Sequence, residues 1–240
     1  VNSANVALTL NMASDDLLVG TTITGGTGTD TINVTAKGGT SVLTNVTGVE
    51  QINVLAGAAG TEVVSITTNA DAAITALKTL TVDASALTSA SATMTLDASA
   101  ETDGYVHVTG GAAIDTITGG ALADTIIGGG GADILDGGAG NDTISGGVGA
   151  DIITAGAGDD TITGGAGNDT ITMAANLTAA DTIDGGEGSD TLNVTSVSAA
   201  TLAGVTNVET LAVTGASTVS LTTDLAFSTI DLSNASAQNL

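Results

Sequence analysis

Between Gly110 and Thr172 the chain consists of seven consecutive nonapeptides: GGAAIDTIT, GGALADTII, GGGGADILD, GGAGNDTIS, GGVGADIIT, AGAGDDTIT and GGAGNDTIT. The second position is Gly in all seven and the first in six, Ala155 being the exception. The sixth is Asp throughout, at Asp115, Asp124, Asp133, Asp142, Asp151, Asp160 and Asp169. The eighth is always Ile or Leu, from Ile117 to Ile171. An acid and a branched aliphatic locked two residues apart, seven times over, is not the pattern of flexible filler. Glycine tolerates positive φ, so positions one, two and four permit a tight turn with close backbone approach. The T-I-T segment around position eight is β-branched and extended, and its aliphatic is expected to point inward.

The rest of the composition agrees with thin, repetitive packing. One Tyr, one Phe and no Trp in 240 residues leave too little bulk for a globular core, whereas each coil of a stacked solenoid buries only one or two residues inward. Twenty-six acids face two lysines, Lys37 and Lys78, for a net charge of −24; that argues against nucleic acid as a partner. With no Cys and a single histidine, His107, thiolate and imidazole metal sites are out of reach. Hard oxygen donors remain, and they suit calcium. No apolar run is long enough to span a bilayer, so no membrane insertion is expected. The chain has no initiator Met and no signal peptide, and reads as an interior piece of a longer one.

The pattern G-G-x-G-x-D-x-U-x resembles the RTX calcium-binding repeat. The resemblance implies an all-β fold, a parallel β-roll or β-helix solenoid with Ca²⁺ in its turns. Turn plus strand makes half a coil, so eighteen residues complete one coil and like turns stack two repeats apart, about 4.8 Å away. Carboxylates that close repel by ~3 kcal/mol per pair at an effective dielectric near 20, and an ion between them reverses the sign. The shared pairs implied are Asp115–Asp133, Asp124–Asp142, Asp133–Asp151, Asp142–Asp160 and Asp151–Asp169. They give five interior ions or more, with Asp133, Asp142 and Asp151 each serving two. Further oxygen ligands are implied from the turn glycines Gly129, Gly131, Gly138, Gly140, Gly147, Gly149, Gly156, Gly158, Gly165 and Gly167. Where Ala113 and Leu122 replace the position-four Gly, a side chain penalises the turn, and sites at this amino-terminal edge are expected to be weak or missing. Asp136 and Asp159 stand outside the aspartate column and are read as solvated acids.

Isolated echoes lie on either side. GGTGTDTIN at 25–33 and GGEGSDTLN at 185–193 both fit the motif, the second after a degenerate A-A-D-T-I-D at 179–184. That stretch is displaced three residues by an insertion around Met173 to Ala175. Asp190 is placed among the metal ligands, pairing with the level of Asp169 or of Asp181, whereas Asp30 is expected only to turn the chain. Gly185 stands 160 residues after Gly25, and the sequences behind them match: T-I-N-V with T-L-N-V, and V-T-G-V-E-Q-I-N-V with V-T-N-V-E-T-L-A-V. This is an internal duplication of a nonapeptide followed by short alternating strands. The expected division is β-helical coils over 1–109, a calcium roll over 110–193, and a repeat of the first unit over 194–240. Glu50 and Glu209 hold equivalent places and are read as exposed turn acids, the other reading being a polar contact between coils. DAAITALKTL at 71–80 is read as strand and turn. Tyr105 and His107 are read as outward residues on a strand whose valines alternate with them.

The V-T-[G/N]-V-E-x-[I/L] coils beside the nonapeptides resemble bacterial surface-layer proteins exported by type I secretion. That resemblance implies an extracellular, cell-surface lattice or matrix component, folding and self-associating outside the cell on Ca²⁺ binding. Surface polysaccharide is a further partner, met through regions outside this stretch. The other reading is the repeat region of a secreted adhesin, toxin or enzyme whose active domain lies elsewhere. No catalysis is expected in the chain itself: one histidine cannot supply H-E-x-x-H, and no G-x-S-x-G occurs. An ice-binding array would need an outward Thr ladder between the turn glycines, where Ala139, Val148, Ala157 and Ala166 stand.

Overall fold

The computed structural model describes residues 9–13, 22–26, 28–35, 39–55, 62–68, 79–174, 176–195, 197–198, 201–214, 219–220 and 227–232. These residues form strands and turns, with no helix. One sheet holds ten strands: Thr9–Ala13, Thr31–Thr35, Gln51–Leu55, Thr79–Asp83, Tyr105–Thr109, Thr125–Gly130, Thr143–Val148, Thr161–Ala166, Thr182–Glu187 and Val205–Thr206. The other holds eleven: Thr22–Thr24, Gly39–Thr47, Glu62–Thr68, Thr93–Asp97, Thr116–Thr118, Ile134–Asp136, Ile152–Thr154, Thr170–Ala174, Thr191–Val194, Thr210–Val213 and Thr229–Asp231. Up to Thr191–Val194 consecutive strands alternate between these two sheets, so the chain winds as a parallel β-solenoid; beyond it Val197–Ser198 pairs with Val219–Ser220 in a third, two-stranded sheet. Both sheets run on across positions 109–110 and 193–194.

The nonapeptides set an eighteen-residue coil. Thr125 lies beside Thr143 and Thr143 beside Thr161 in one sheet; Ile117, Leu135, Ile153 and Ile171 stack in the other. The next coil is three residues longer, pairing Thr161 with Thr182 and Thr170 with Thr191. A register shift between Thr172 and Ala174 lies in this longer coil, beside the insertion seen in the sequence. The shift is of one residue, and both ladders continue beyond it.

Coil thickness follows from what points inward. Several strands before the roll bury two side chains each, such as Ile52 with Val54, Met94 with Leu96, and Val106 with Val108. A nonapeptide strand buries one aliphatic, Ile144 for example, followed by a buried glycine. A methyl group on Gly146 would overlap both Asp151 Oδ2 and the Gly164 carbonyl. Each buried Ile contributes about 1.5–3 kcal/mol, so stacking rather than any one large residue holds the roll together. On the outer face of the amino-terminal coils Asn33 donates to Asn11 Oδ1 and Asn53 to Asn33 Oδ1, both at 2.7 Å.

His107 is exposed and Tyr105 half-buried, alternating with the buried valines as the sequence pattern requires. Residues 71–78, including Lys78, lie outside the described residues, as does Lys37; Thr79–Asp83 is a strand.

Two turns before the roll are of another kind. Asp83 Oδ1 accepts the Ser85 amide at 3.0 Å and its hydroxyl at 2.6 Å, and Asp97 holds Ser99 likewise at 3.1 and 2.6 Å. The first two nonapeptides stack on these turns, the Ala112 amide donating to the Leu87 carbonyl and the Ala121 amide to that of Glu101.

Candidate metal centre

The position-six aspartates form two buried columns, one at each junction between the sheets. The first runs Asp115, Asp133, Asp151, Asp169, Asp190; the second runs Asp124, Asp142, Asp160, Asp181. All are at most 2% exposed. Within each column the amide of one Asp donates to Oδ1 of the Asp one coil on, at 2.7–2.9 Å. Met94 and Val106 begin the columns by donating to Asp115 and Asp124 at 2.6 and 2.7 Å. The five Asp–Asp neighbours expected from the spacing are therefore neighbours in the fold. Asp190 joins the Asp169 level, and Asp181 joins that of Asp160.

The second carboxylate oxygen divides the turns into two classes. In Asp115 and Asp124, Oδ2 accepts the amide of Gly111 or Gly120, both at 2.6 Å. In Asp181 it accepts the Thr178 amide at 2.6 Å, and in Asp30 the amide of Gly26. In Asp133, Asp142, Asp151, Asp160, Asp169 and Asp190 it is buried with no hydrogen-bond partner. Orphaned buried oxygens are uncommon and call for a partner.

Backbone conformation divides the turns the same way. In the six orphaned turns the glycines at positions two and four both have positive φ, for instance Gly147 at 112° and Gly149 at 142°. A methyl group at Gly149 would overlap the Gly131 carbonyl, so the coils touch through bare backbone there. Ala113 and Leu122 occupy position four in the first two repeats, and Ala113 is buried. In those turns the position-two amide meets the carboxylate of its own repeat instead.

Electrostatics make the demand explicit. Burial pushes the carboxyls of Asp133 and Asp142 up to about 7, with neighbouring carboxylates adding to the rise. Asp169 is raised to about 6, first by burial and then by Asp151 and Asp190. Asp115, Asp124, Asp151, Asp160 and Asp190 are also raised, burial being the largest cause in each. No Lys or Arg lies among the described residues to offset these charges. The same residues contain no group of three or more His, Cys, Asp or Glu that could hold a metal. A cation here would draw on paired carboxylates and backbone carbonyls, an all-oxygen donor set suited to Ca²⁺.

Three side chains differ from the sequence reading. Asp136 is half-buried rather than solvated, and its Oδ1 accepts the Gly138 amide at 3.1 Å. Asp159, by contrast, is exposed as expected, and its backbone amide donates to Asn141 Oδ1 at 3.0 Å. Glu209 is half-buried and extends the first column: Oε2 accepts the Asp190 amide at 2.8 Å, and Glu50 does the same for Asp30 at 2.8 Å. These glutamates are intercoil contacts, not exposed turn acids. The signal was available in their common place behind a Val, but the length of the turn was not.

Fold and site together define a parallel β-roll whose turns carry stacked, under-satisfied carboxylates. The model of the RTX calcium-binding nonapeptide repeat matches residues 109–144, 136–171 and 178–194, in four copies. The chain thus carries RTX repeats, a calcium-binding motif typical of secreted proteins. No curated protein and no solved structure matches the chain.

Proposed function

We propose that the chain is a calcium-dependent structural segment of a bacterial surface-layer or cell-surface matrix protein, folding and assembling outside the cell. The observation that carries the reading is the set of six buried, partnerless oxygens on Asp133, Asp142, Asp151, Asp160, Asp169 and Asp190. These aspartates, with turn glycines such as Gly147 and Gly149, would hold the ions. Bound Ca²⁺ would supply the positive charge and oxygen coordination that the protein omits. Asp115 and Asp124 already have both oxygens hydrogen-bonded, so they serve the columns as caps. The segment performs no catalysis. Self-association into a lattice or matrix, and contact with surface polysaccharide through regions beyond this stretch, complete the reading.

Circular dichroism in chelator tests it. The β signal of the roll is expected to fall and to return on adding Ca²⁺, with Mg²⁺ much less effective because it prefers smaller octahedral sites. If each of six turns is filled at ten times its dissociation constant, binding contributes ~1.4 kcal/mol per ion, or ~8 kcal/mol together, comparable to a domain's whole stability. A spectrum indifferent to chelator would overturn the proposal.

A further inference from the structure

In both halves of the duplication a nonapeptide is followed, one coil on, by a shorter turn. Six residues, Gly185 to Asp190, join Asp184 to Thr191. In the next coil Thr206 pairs with Asp184 and Thr210 with Thr191, so only Asn207, Val208 and Glu209 lie between. The amino-terminal copy repeats this: Thr47 pairs with Thr24 and Gln51 with Thr31, setting Gly48, Val49 and Glu50 against Gly25 to Asp30. The shorter turn therefore lacks the stretch that carries the position-two and position-four glycines.

Each of its three residues has a definite part. The first is left-handed, Gly48 at φ 59° and Asn207 at φ 50°, and Asn207 is the only non-glycine with positive φ among the described residues. Asn tolerates that region better than any other side chain. The second is a buried Val, Val49 at 1% and Val208 at 3% exposure, packed into the hydrophobic core. The third is Glu, one methylene longer than Asp, whose Oε2 takes the amide of Asp30 or Asp190 as an Asp Oδ1 does elsewhere. The backbone ladder also continues, the Glu209 carbonyl accepting the amides of Ser228 and Thr229 at 2.9 Å.

We propose that the [G/N]-V-E turn is an ion-free form of the nonapeptide turn, and that its carboxyl-terminal copy, at Glu209, ends the metal column. Glu supplies the acceptor that the preceding Asp amide needs, while the rest of the turn is a buried apolar Val with no paired glycines. The coil closes without a cation, and Asp190 is the last residue of its column to need one. The inference rests on the calcium reading of the nonapeptide turns.

A graft into the 240-residue chain tests it. Replacing Asn207, Val208 and Glu209 with Gly-Gly-Ala-Gly-Asn-Asp, the turn of residues 164–169, is expected to raise the calcium count by one in native mass spectrometry. An unchanged count in a folded graft overturns the proposal. Glu209→Ala decides the matter whether or not the graft folds. Its calcium count should equal that of the parent, while the Asp190 amide, having lost a charged acceptor, exchanges with deuterium about tenfold faster. A count lower by one would make Glu209 a ligand, and unaltered exchange would remove its role as acceptor; either overturns the proposal. Failure of the calcium reading is distinguishable, because it would appear in the parent as no bound calcium at all.

Discussion

The amide of Asp169 donates to Oδ1 of Asp190 at 2.7 Å, twenty-one residues ahead, across the one interruption in the repeat. The Asp160 amide reaches Asp181 over the same distance in sequence, and the other Asp–Asp bonds of the roll span eighteen residues. The column is thus kept even where the sequence period is not, because the extra residues fall between the paired Thr170–Thr172 segment and Thr182, leaving the aspartate turns in register. Since each carboxylate serves both the preceding coil and its own turn, substitutions should separate these two tasks.

Asp151→Asn keeps an acceptor for the Asp133 amide but loses the charge at an orphaned oxygen. It is expected to weaken both ions that Asp151 would share, lowering the ion count and raising the calcium midpoint for folding about tenfold. Asp124→Asn would instead turn an amide donor toward the Gly120 amide or the Val106 amide, both of which now donate to the carboxylate. Its cost should be about 1–3 kcal/mol at an unchanged ion count. Calcium titrations followed by circular dichroism, with ion counts from mass spectrometry, check both. Equal loss of ions in the two variants would contradict the division into classes.

Protons should partly replace calcium. The folded, metal-free carboxyls of Asp133 and Asp142 are raised to about 7 and that of Asp169 to about 6, above their values in the unfolded chain. A group raised in this direction stabilises the fold most at pH below its unfolded value, and that stabilisation fades as pH rises through the folded one. In chelator, the β signal should therefore strengthen between pH 8 and pH 4, and the effect should vanish in saturating Ca²⁺. A metal-free roll that weakens over the same acid range would show the sign to be wrong.

Gly149 sits at φ 142° against the Gly131 carbonyl. Gly149→Ala forces both a disfavoured backbone conformation and an overlap with backbone, costing about 1–3 kcal/mol or more. Ala139→Ser, at position three of a neighbouring turn, makes neither demand and should change stability by less than ~0.5 kcal/mol. Thermal melts at saturating Ca²⁺ measure the difference.

Assembly should need more calcium than folding. Six divalent ions would halve the net charge of −24, and copies that remain so anionic repel at moderate salt. Light scattering is expected to rise at a calcium concentration above the folding midpoint seen by circular dichroism. Coincident midpoints at every protein concentration would remove the second role, and no scattering at any calcium level would favour an adhesin or an enzyme tail over a lattice.

What the sequence made legible was the part governed by local chemistry. The fixed spacing of Asp142 and Ile144 announces a strand with one buried face, and the eighteen-residue stack follows from repeating it. The penalty at Ala113 and Leu122 was visible too, though not its form, in which Gly111 and Gly120 cap the carboxylates. The meaning of Glu50 and Glu209 was hidden, because it depends on which residues pair across coils. Only the pairing of Thr206 with Asp184 reveals that their turn is three residues short.

The amide-to-carboxylate hydrogen bonds of the aspartate columns all point one way along the chain, from each Asp amide to the carboxylate one coil on. The backbone bonds beside them point the other way, the Ile152 amide donating to the Asp133 carbonyl at 2.8 Å. Each aspartate thus fastens its coil to the next in both directions. A coil added at either end finds a donor and an acceptor already waiting on the one before it.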